Sequence, residues 1–241
     1  MILGKMNCEL CNAKNCFINN YVSLKFIEKI NENKFIINFK QGQYIFSETN
    51  YVTGLFFIKK GKVKIFFTRE NKDQIIRLAN TGDILGHRGF GNNNHYPISA
   101  ITLIDSNICF IPKKLLIELL QNNPALSYQF TMFYANELMQ SEQYWHSLSR
   151  TGLRERVINA VLMVFHSFYD SIKDGDVIDL YITRKEIGDI ASTSPEQVCR
   201  EFAWYNEQGI IEILGRRKII IKDYERLINL VKLPAKMHQS E

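Results

Sequence analysis

The sequence predicts an α+β chain: an N-terminal β-barrel or jelly-roll sensor domain, a long dimerisation helix, and a C-terminal winged helix-turn-helix. Three observations carry this. Short β-type runs broken by glycine fill Phe35 to Ile111, the apolar period lengthens after Pro112, and two capped helices share Thr183 to Tyr205. The expected division is a cysteine-containing arm (1–20), the barrel (21–124), the dimerisation helix and hinge (125–151), the helix-turn-helix domain (152–234) and a tail (235–241).

In the first region Phe35–Phe39, Tyr44–Phe46, Leu55–Ile58, Lys62–Phe67 and Gln74–Leu78 are rich in residues of high β propensity. Lys62-Val63-Lys64-Ile65 alternates polar and apolar, as a half-buried strand does. Gln41-Gly42, Lys60-Gly61, Gly82-Asp83 and Gly91-Asn92-Asn93-Asn94 mark the turns. Short strands at this spacing predict a sandwich or small barrel.

Beyond Pro112 the spacing predicts a short helix over Lys113–Gln121, stopped by Asn122-Asn123-Pro124, and a long one over Ala125–Ser149. Phe130, Tyr134, Leu138, Ser141, Trp145 and Leu148 recur at helical spacing as an apolar seam with one small polar break. Such a stripe serves core packing or a parallel dimer contact. Its length, greater than one small barrel covers, favours the dimer. Ser149-Arg150-Thr151-Gly152 reads as the hinge, and Leu153–Tyr169 as a second amphipathic helix carrying Val157, Val161, Val164 and Phe165 on one face.

Thr183-Arg184-Lys185-Glu186 is a Thr-x-x-Glu capping box opening a helix through Ala191. Ser194-Pro195-Glu196-Gln197 caps a second helix, with Ser at the N-cap and Pro in the first turn. On that helix Val198, Phe202 and Tyr205 form an inward face; Glu196, Cys199, Arg200 and Ala203 form the opposite stripe. Arg200 can fork onto guanine O6 and N7, and Glu196 can accept from cytosine N4, which is base reading in the major groove of double-stranded DNA. Thr183, Arg184, Ser194 and Gln197 would lie along the DNA backbone. Ile210–Leu214, Gly215-Arg216-Arg217 and Lys218–Ile221 read as a hairpin wing, with Arg216, Arg217 and Lys218 near phosphates.

Net charge does not supply this reading. The chain carries +5 overall, but residues 1–151 hold 17 Lys+Arg against 11 Asp+Glu (+6), leaving 13 against 14 (−1) for residues 152–241. At 46% hydrophobic and 23% charged the composition is globular. No apolar run reaches the ~18 residues of a membrane span. The opening residues are too polar for a signal peptide, so a cytoplasmic location and no membrane partner are expected. Five cysteines, at 8, 11, 16, 109 and 199, argue against a disulfide framework and leave metal binding or plain thiols.

The chain resembles the Crp/Fnr family of bacterial transcription regulators, over nearly all residues from about 20 to 230. Ile182–Phe202, ITRKEIGDIASTSPEQVCREF, is similar to that family's DNA-binding signature, and Gly42, Lys60-Gly61, Gly82-Asp83 and Gly86 fall at the turns of its cyclic-nucleotide-binding-type barrel. The resemblance implies a homodimer on palindromic sites that contacts RNA polymerase, with Glu196 and Arg200 at the two base-reading positions. Cys199 falls where oxygen-sensing members have serine, and Pro195 replaces an arginine of the cyclic-AMP-responsive branch.

The same resemblance bears on the signal. The family's cyclic AMP pocket needs a Gly-Glu and an Arg-Ser pair; the matching stretches here are Gly86-His87-Arg88 and Ile98-Ser99, with His87 for the glutamate and Ile98 for the arginine. A cyclic phosphate would lose its bidentate partner, which disfavours cyclic AMP, although Arg88 stands near and another anion could use a modified pocket. Fnr-type members bind a 4Fe-4S cluster through three arm cysteines and one before an Ile-Pro turn. Cys8, Cys11, Cys16 and Cys109 match that set, with four residues instead of five between the second and third. Three readings of the cysteines stay open: thiols without metal, an iron–sulfur cluster, and structural zinc.

An enzyme is not expected, since the chain has no phosphate-binding glycine loop, nucleophile elbow or His-Glu metal motif. The competing function is a cysteine-based redox or metal-binding sensor whose output is not mainly DNA binding.

Overall fold

The computed structural model describes residues 2–3, 7–11, 13, 16–70, 72–91 and 93–231, the side chains of residues 2–3 and 144–150 excepted. It divides into two compact units, residues 1–144 and 145–241.

The first unit packs two antiparallel sheets and a helical layer. Its strands are β1 (Ile2–Leu3), β2 (Phe35–Phe39), β3 (Tyr44–Phe46), β4 (Gly54–Lys60), β5 (Lys62–Arg69), β6 (Lys72–Asn80), β7 (Ile84–Leu85), β8 (Ser99–Thr102) and β9 (Ser106–Pro112). One sheet has the order β1-β2-β9-β4-β7, the other β3-β8-β5-β6. Strand β4 shows how the layers stack. Its run Leu55-Phe56-Phe57-Ile58 is buried on both faces. By the two-residue period, Phe56 and Ile58 enter the core between the sheets, with Phe46, Val63, Ile65, Leu85, Ile98 and Ile108. Leu55 and Phe57 face the helices, meeting Phe17, Ile27, Ile30, Leu116, Leu126 and Phe130.

Those helices are α1 (Phe17–Tyr21), α2 (Leu24–Asn33), α3 (Lys113–Asn122) and α4 (Pro124–Arg150). The sequence reading has α3 and α4 but neither α1 nor α2. Helix α1 is too short to show a period. Helix α2 buries only Ile27 and Ile30 on a largely polar segment, so tertiary packing decides it.

Helix α4 corrects the expected seam. Phe130 is 5% exposed and its ring meets Phe17 at 4.6 Å, so it belongs to the chain's own core and is not open to a partner. Tyr134 is exposed, and its hydroxyl donates to the His87 carbonyl oxygen at 2.8 Å. Leu138 is 61% exposed, and Tyr128, Met132, Tyr134 and Met139 of the same helix are exposed as well. The side chains of Trp145 and Leu148 lie outside the described residues.

In the second unit α5 (Leu153–Phe168) and the three-stranded sheet of β10 (Val177–Asp179), β12 (Lys218–Ile221) and β11 (Ile211–Ile213), in that spatial order, enclose α6 (Arg184–Ala191) and α7 (Pro195–Glu207), with α8 (Tyr224–Asn229) closing the chain. Val157, Val161, Val164 and Phe165 of α5 are all buried, as their spacing predicts. Strand β10 is an addition to the sequence reading. Tyr169 fixes it, donating its hydroxyl to the Asp179 carbonyl (2.7 Å) and accepting the Asp179 N–H (2.9 Å). No helix among the described residues is long and apolar enough to cross a membrane.

Candidate nucleic-acid interface and thiol site

Both expected caps are present. The Thr183 hydroxyl accepts the Glu186 N–H (3.2 Å) while Glu186 accepts the Thr183 N–H (2.8 Å), a closed capping box. The Thr183 hydroxyl also donates to the Glu186 carboxylate (2.9 Å), so it is spent on the cap and is not free for a phosphate as expected. Ser194 accepts the Gln197 N–H (3.3 Å) at the head of α7. The turn between is tight: Ser192 takes the left-handed conformation, and a Cβ on Gly188 would stand 2.7 Å from the Thr193 carbonyl oxygen.

Helix α7 is two-faced as its spacing predicts. Val198, Phe202 and Tyr205 are buried; Glu196, Cys199, Arg200 and Ala203 are exposed together on the opposite face. The Ser194 hydrogen bond, the helix's own N-terminal N–H and the Arg200 charge hold the Glu196 carboxyl below the usual range, so it presents an acceptor. Arg216, Arg217 and Lys218 stand exposed at the tip joining β11 to β12. Arg184 departs from expectation. Its guanidinium lies 3.6 Å from the centre of the Phe202 ring, and burial lowers its pKa to about 10, so it packs inward instead of standing open to a DNA backbone.

The thiol set is assembled from separate elements. Cys8 opens a 3-10 turn, Cys16 is the N-cap of α1, and Cys109 lies on β9 opposite Ile36 and Phe57. Asn31 accepts the Cys8 N–H (2.8 Å) and Asn19 donates to the Cys8 carbonyl (3.1 Å), pinning the arm to α1 and α2. All five cysteines are free thiols. Burial pushes the Cys109 thiol up to about 11; the Lys34 charge opposes this, and Cys11, Cys16 and Cys8 add to it, so all four lie within electrostatic reach. Lys34 is 8% exposed and its Nζ donates to Cys8 Sγ at 2.7 Å. As placed, no three His, Cys, Asp or Glu side chains among the described residues are grouped to hold a metal ion.

The cyclic nucleotide-binding domain family matches residues 36–123, and the Crp-like helix-turn-helix domain family matches residues 155–230. The chain is similar to the fumarate and nitrate reduction regulatory protein of Yersinia pestis, 25% identical over 233 residues, 95% of this chain and 92% of that one. It is 27% identical over 187 residues to electron transport regulator A of Shewanella oneidensis, covering 77% and 74%. In fold it is similar to FixK2 of Bradyrhizobium japonicum, with a TM-score of 0.72 at 21% identity over 83% of this chain and 98% of that one. The chain belongs to the Crp/Fnr family of transcription regulators.

In this Crp/Fnr regulator the residues expected to line an effector pocket meet different neighbours. Gly86, at φ +83°, turns the chain so that His87 and Arg88 face α4. There Glu137 accepts from His87 Nε2 (3.2 Å) and Arg88 Nη2 (3.2 Å), with Arg77 Nη1 at 3.7 Å. Burial alone would raise the Glu137 pKa. The His87 hydrogen bond and the charges of Arg77, His87 and Arg88 outweigh it and hold the carboxyl at about 2. Burial lowers the His87 pKa, against the pull of the Glu137 hydrogen bond. Ile98 is buried in the barrel core, and Ser99 Oγ accepts the Glu48 N–H at 2.9 Å. Phe46 stacks on Tyr96 at 4.3 Å and on Phe56 at 5.5 Å inside the same core.

Glu137, Arg77 and Lys34 are the residues sequence reading misses. Glu137 had a signal, as an acid set among the apolar and aromatic residues of α4. Lys34 and Arg77 sit in ordinary strand and helix-end contexts and had none.

Proposed function

We propose that the regulator acts in the cytoplasm as a homodimer on a palindromic double-stranded site, presenting one α7 to each half-site. Glu196, Cys199 and Arg200 read base edges. Ser194, Gln197, Arg216, Arg217 and Lys218 hold the backbone, and the DNA-bound dimer meets RNA polymerase. The observation that carries this is the segregation of α7: three side chains able to contact bases lie exposed on one face, while Val198, Phe202 and Tyr205 anchor the other. The test is a gel shift against a randomised site library. Arg200→Ala is expected to lose roughly 1–3 kcal/mol of discrimination at one position of each half-site, whereas Arg217→Ala weakens all sequences alike and flattens the salt dependence. An Arg200→Ala protein with wild-type preference overturns the assignment.

For the signal we propose a 4Fe-4S cluster held by Cys8, Cys11, Cys16 and Cys109. What supports this is that the arm cysteines and Cys109 of β9 are free thiols within electrostatic reach of one another, with the match of Cys8, Cys11, Cys16 and Cys109 to the Fnr-type ligand set; the side chains as placed would have to draw together to hold it. When bound, the cluster would supply redox-sensitive iron–thiolate bonds. The chain's own contribution is to pin Cys8 through Asn31 and Asn19, and to shield Cys109 beneath the helical layer. Iron and sulfide content after anaerobic purification tests it. Metal-free protein that binds its operator tightly rejects it, and zinc at one per chain replaces it with a structural site.

A further inference from the structure

Between α4 and α5 stand Thr151 and Gly152, and the first four residues of α5 include two arginines, Arg154 and Arg156. Arg156 bridges two carbonyls: its Nε donates to the Ala191 oxygen at 3.0 Å and its Nη1 to the Thr151 oxygen at 3.0 Å. Ala191 is the last residue of α6, where a helix leaves its carbonyls without helical partners, and the turn toward α7 begins at the next residue. Arg154 grips α7 itself. Its Nε donates to the Glu201 carboxylate at 2.7 Å, and its guanidinium lies 3.6 Å from the centre of the Trp204 ring. The Tyr205 hydroxyl closes the contact by donating to the Arg154 carbonyl oxygen at 3.1 Å. Glu201 and Trp204, three residues apart, share a side of α7 that belongs neither to its buried face nor to the stripe of Glu196, Cys199, Arg200 and Ala203.

An ion pair whose arginine side chain is 43% exposed adds little to stability. What these contacts remove is freedom of movement. A planar guanidinium carries its donors in a fixed fork, so two carbonyls bound to it are held in one mutual arrangement. Arg156 thereby fixes the residue that follows α4 against the end of α6, and Arg154 fixes the same turn of α5 against α7. We infer that Arg154 and Arg156 are positioning residues for the recognition helix: they hold α7 in a set direction relative to Thr151, and so set the half-site spacing that the dimer accepts. The inference rests on the palindromic-dimer reading above and gives these two arginines no contact with DNA. One base pair added between half-sites moves the second by about 3.4 Å and turns it by roughly 35°. A dimer whose recognition helices are held stiffly cannot follow that displacement, whereas one whose helices swing at Thr151 can.

The test is a gel shift at fixed salt with the full chain as wild type, Arg154→Met, Arg156→Met and Arg226→Met. Methionine keeps a flexible stem without the donors. Arg226 of α8 is the control, since it too donates to a backbone carbonyl of the second unit, that of Gln208 at 3.0 Å. The probes are the operator selected from the randomised library, the same operator with one base pair inserted or removed between its half-sites, and a single half-site. Wild type should lose affinity steeply at either altered spacing. In Arg154→Met and Arg156→Met that penalty should shrink several-fold while base preference within each half-site is kept, and Arg226→Met should match wild type. If Arg156→Met does not fold by circular dichroism, Arg154→Met, which removes a half-exposed side chain, carries the test with the same expected result. A folded variant that keeps the wild-type penalty overturns the role of its arginine, even if it binds every operator more weakly, because a uniform loss is what destabilisation alone produces. Wild-type protein that binds a single half-site as tightly as the palindrome overturns the palindromic-dimer reading, and the inference with it.

Discussion

At the residue scale the helix-turn-helix depends on one missing methyl group. A Cβ on Gly188 would press the Thr193 backbone oxygen, which no side-chain rotation can relieve. Gly188→Ala is expected to cost about 1–3 kcal/mol, the usual range for overpacking, read by urea unfolding. Phe202 carries a double duty, since its ring fills the core of the second unit and covers the Arg184 guanidinium. Phe202→Ala should destabilise by about 3–5 kcal/mol and lower operator affinity besides. The caps and the two faces of α7 were legible because hydrogen-bonding residue types and helical spacing are local properties. The inward turn of Arg184 was not, because a cation–π contact with a residue 18 positions later has no local signature.

At the element scale the join between the barrel and α4 is electrostatic as well as apolar. Glu137 titrates near 4.5 ordinarily and at about 2 in the fold, so its contribution is complete above pH 4.5 and is lost as pH falls toward 2. His87 has its pKa depressed below 6.5 by burial, so the unfolded chain takes up a proton before the folded one does. Its neutral form therefore contributes fully above pH 6.5, and that contribution is lost as pH falls through the folded-state value. Both shifts predict acid destabilisation of the first unit. Urea midpoints from pH 7.5 to 3 should fall for wild type, and Glu137→Gln should show a shallower fall below pH 4.5 from a lower starting stability. The strands of this unit were readable from β propensity and glycine turns. The facing of His87 and Arg88 was not, because their partner lies some 50 residues away on a helix whose register against the barrel only packing decides.

At the scale of the whole molecule, the exposed apolar residues of α4 are what a dimer would cover. Tyr128, Met132, Leu138 and Met139 stand out of the chain's own core, whereas Phe130 is inside it. Leu138→Glu is expected to shift the protein to monomer in sedimentation and to weaken operator binding at least tenfold, with the barrel's stability unchanged. A dimer of wild-type strength in that variant would place the contact elsewhere. The long helix was plain from its spacing; which face it turns to a partner was hidden, since apolar residues surround it on both sides and burial by α1 claims one of them.

The edge-on meeting of Phe17 with Phe130 makes the molecule a short mechanical linkage. Cys16 is the residue immediately before Phe17, and Phe17 touches both Phe130 and Phe133 of α4, with ring centres 4.6 and 6.0 Å apart. The position of the Cys16 backbone is thus tied to the long helix through ring packing one residue away. Phe17→Ala would cut that tie and is expected to loosen the arm from α4, read as faster amide exchange in the arm.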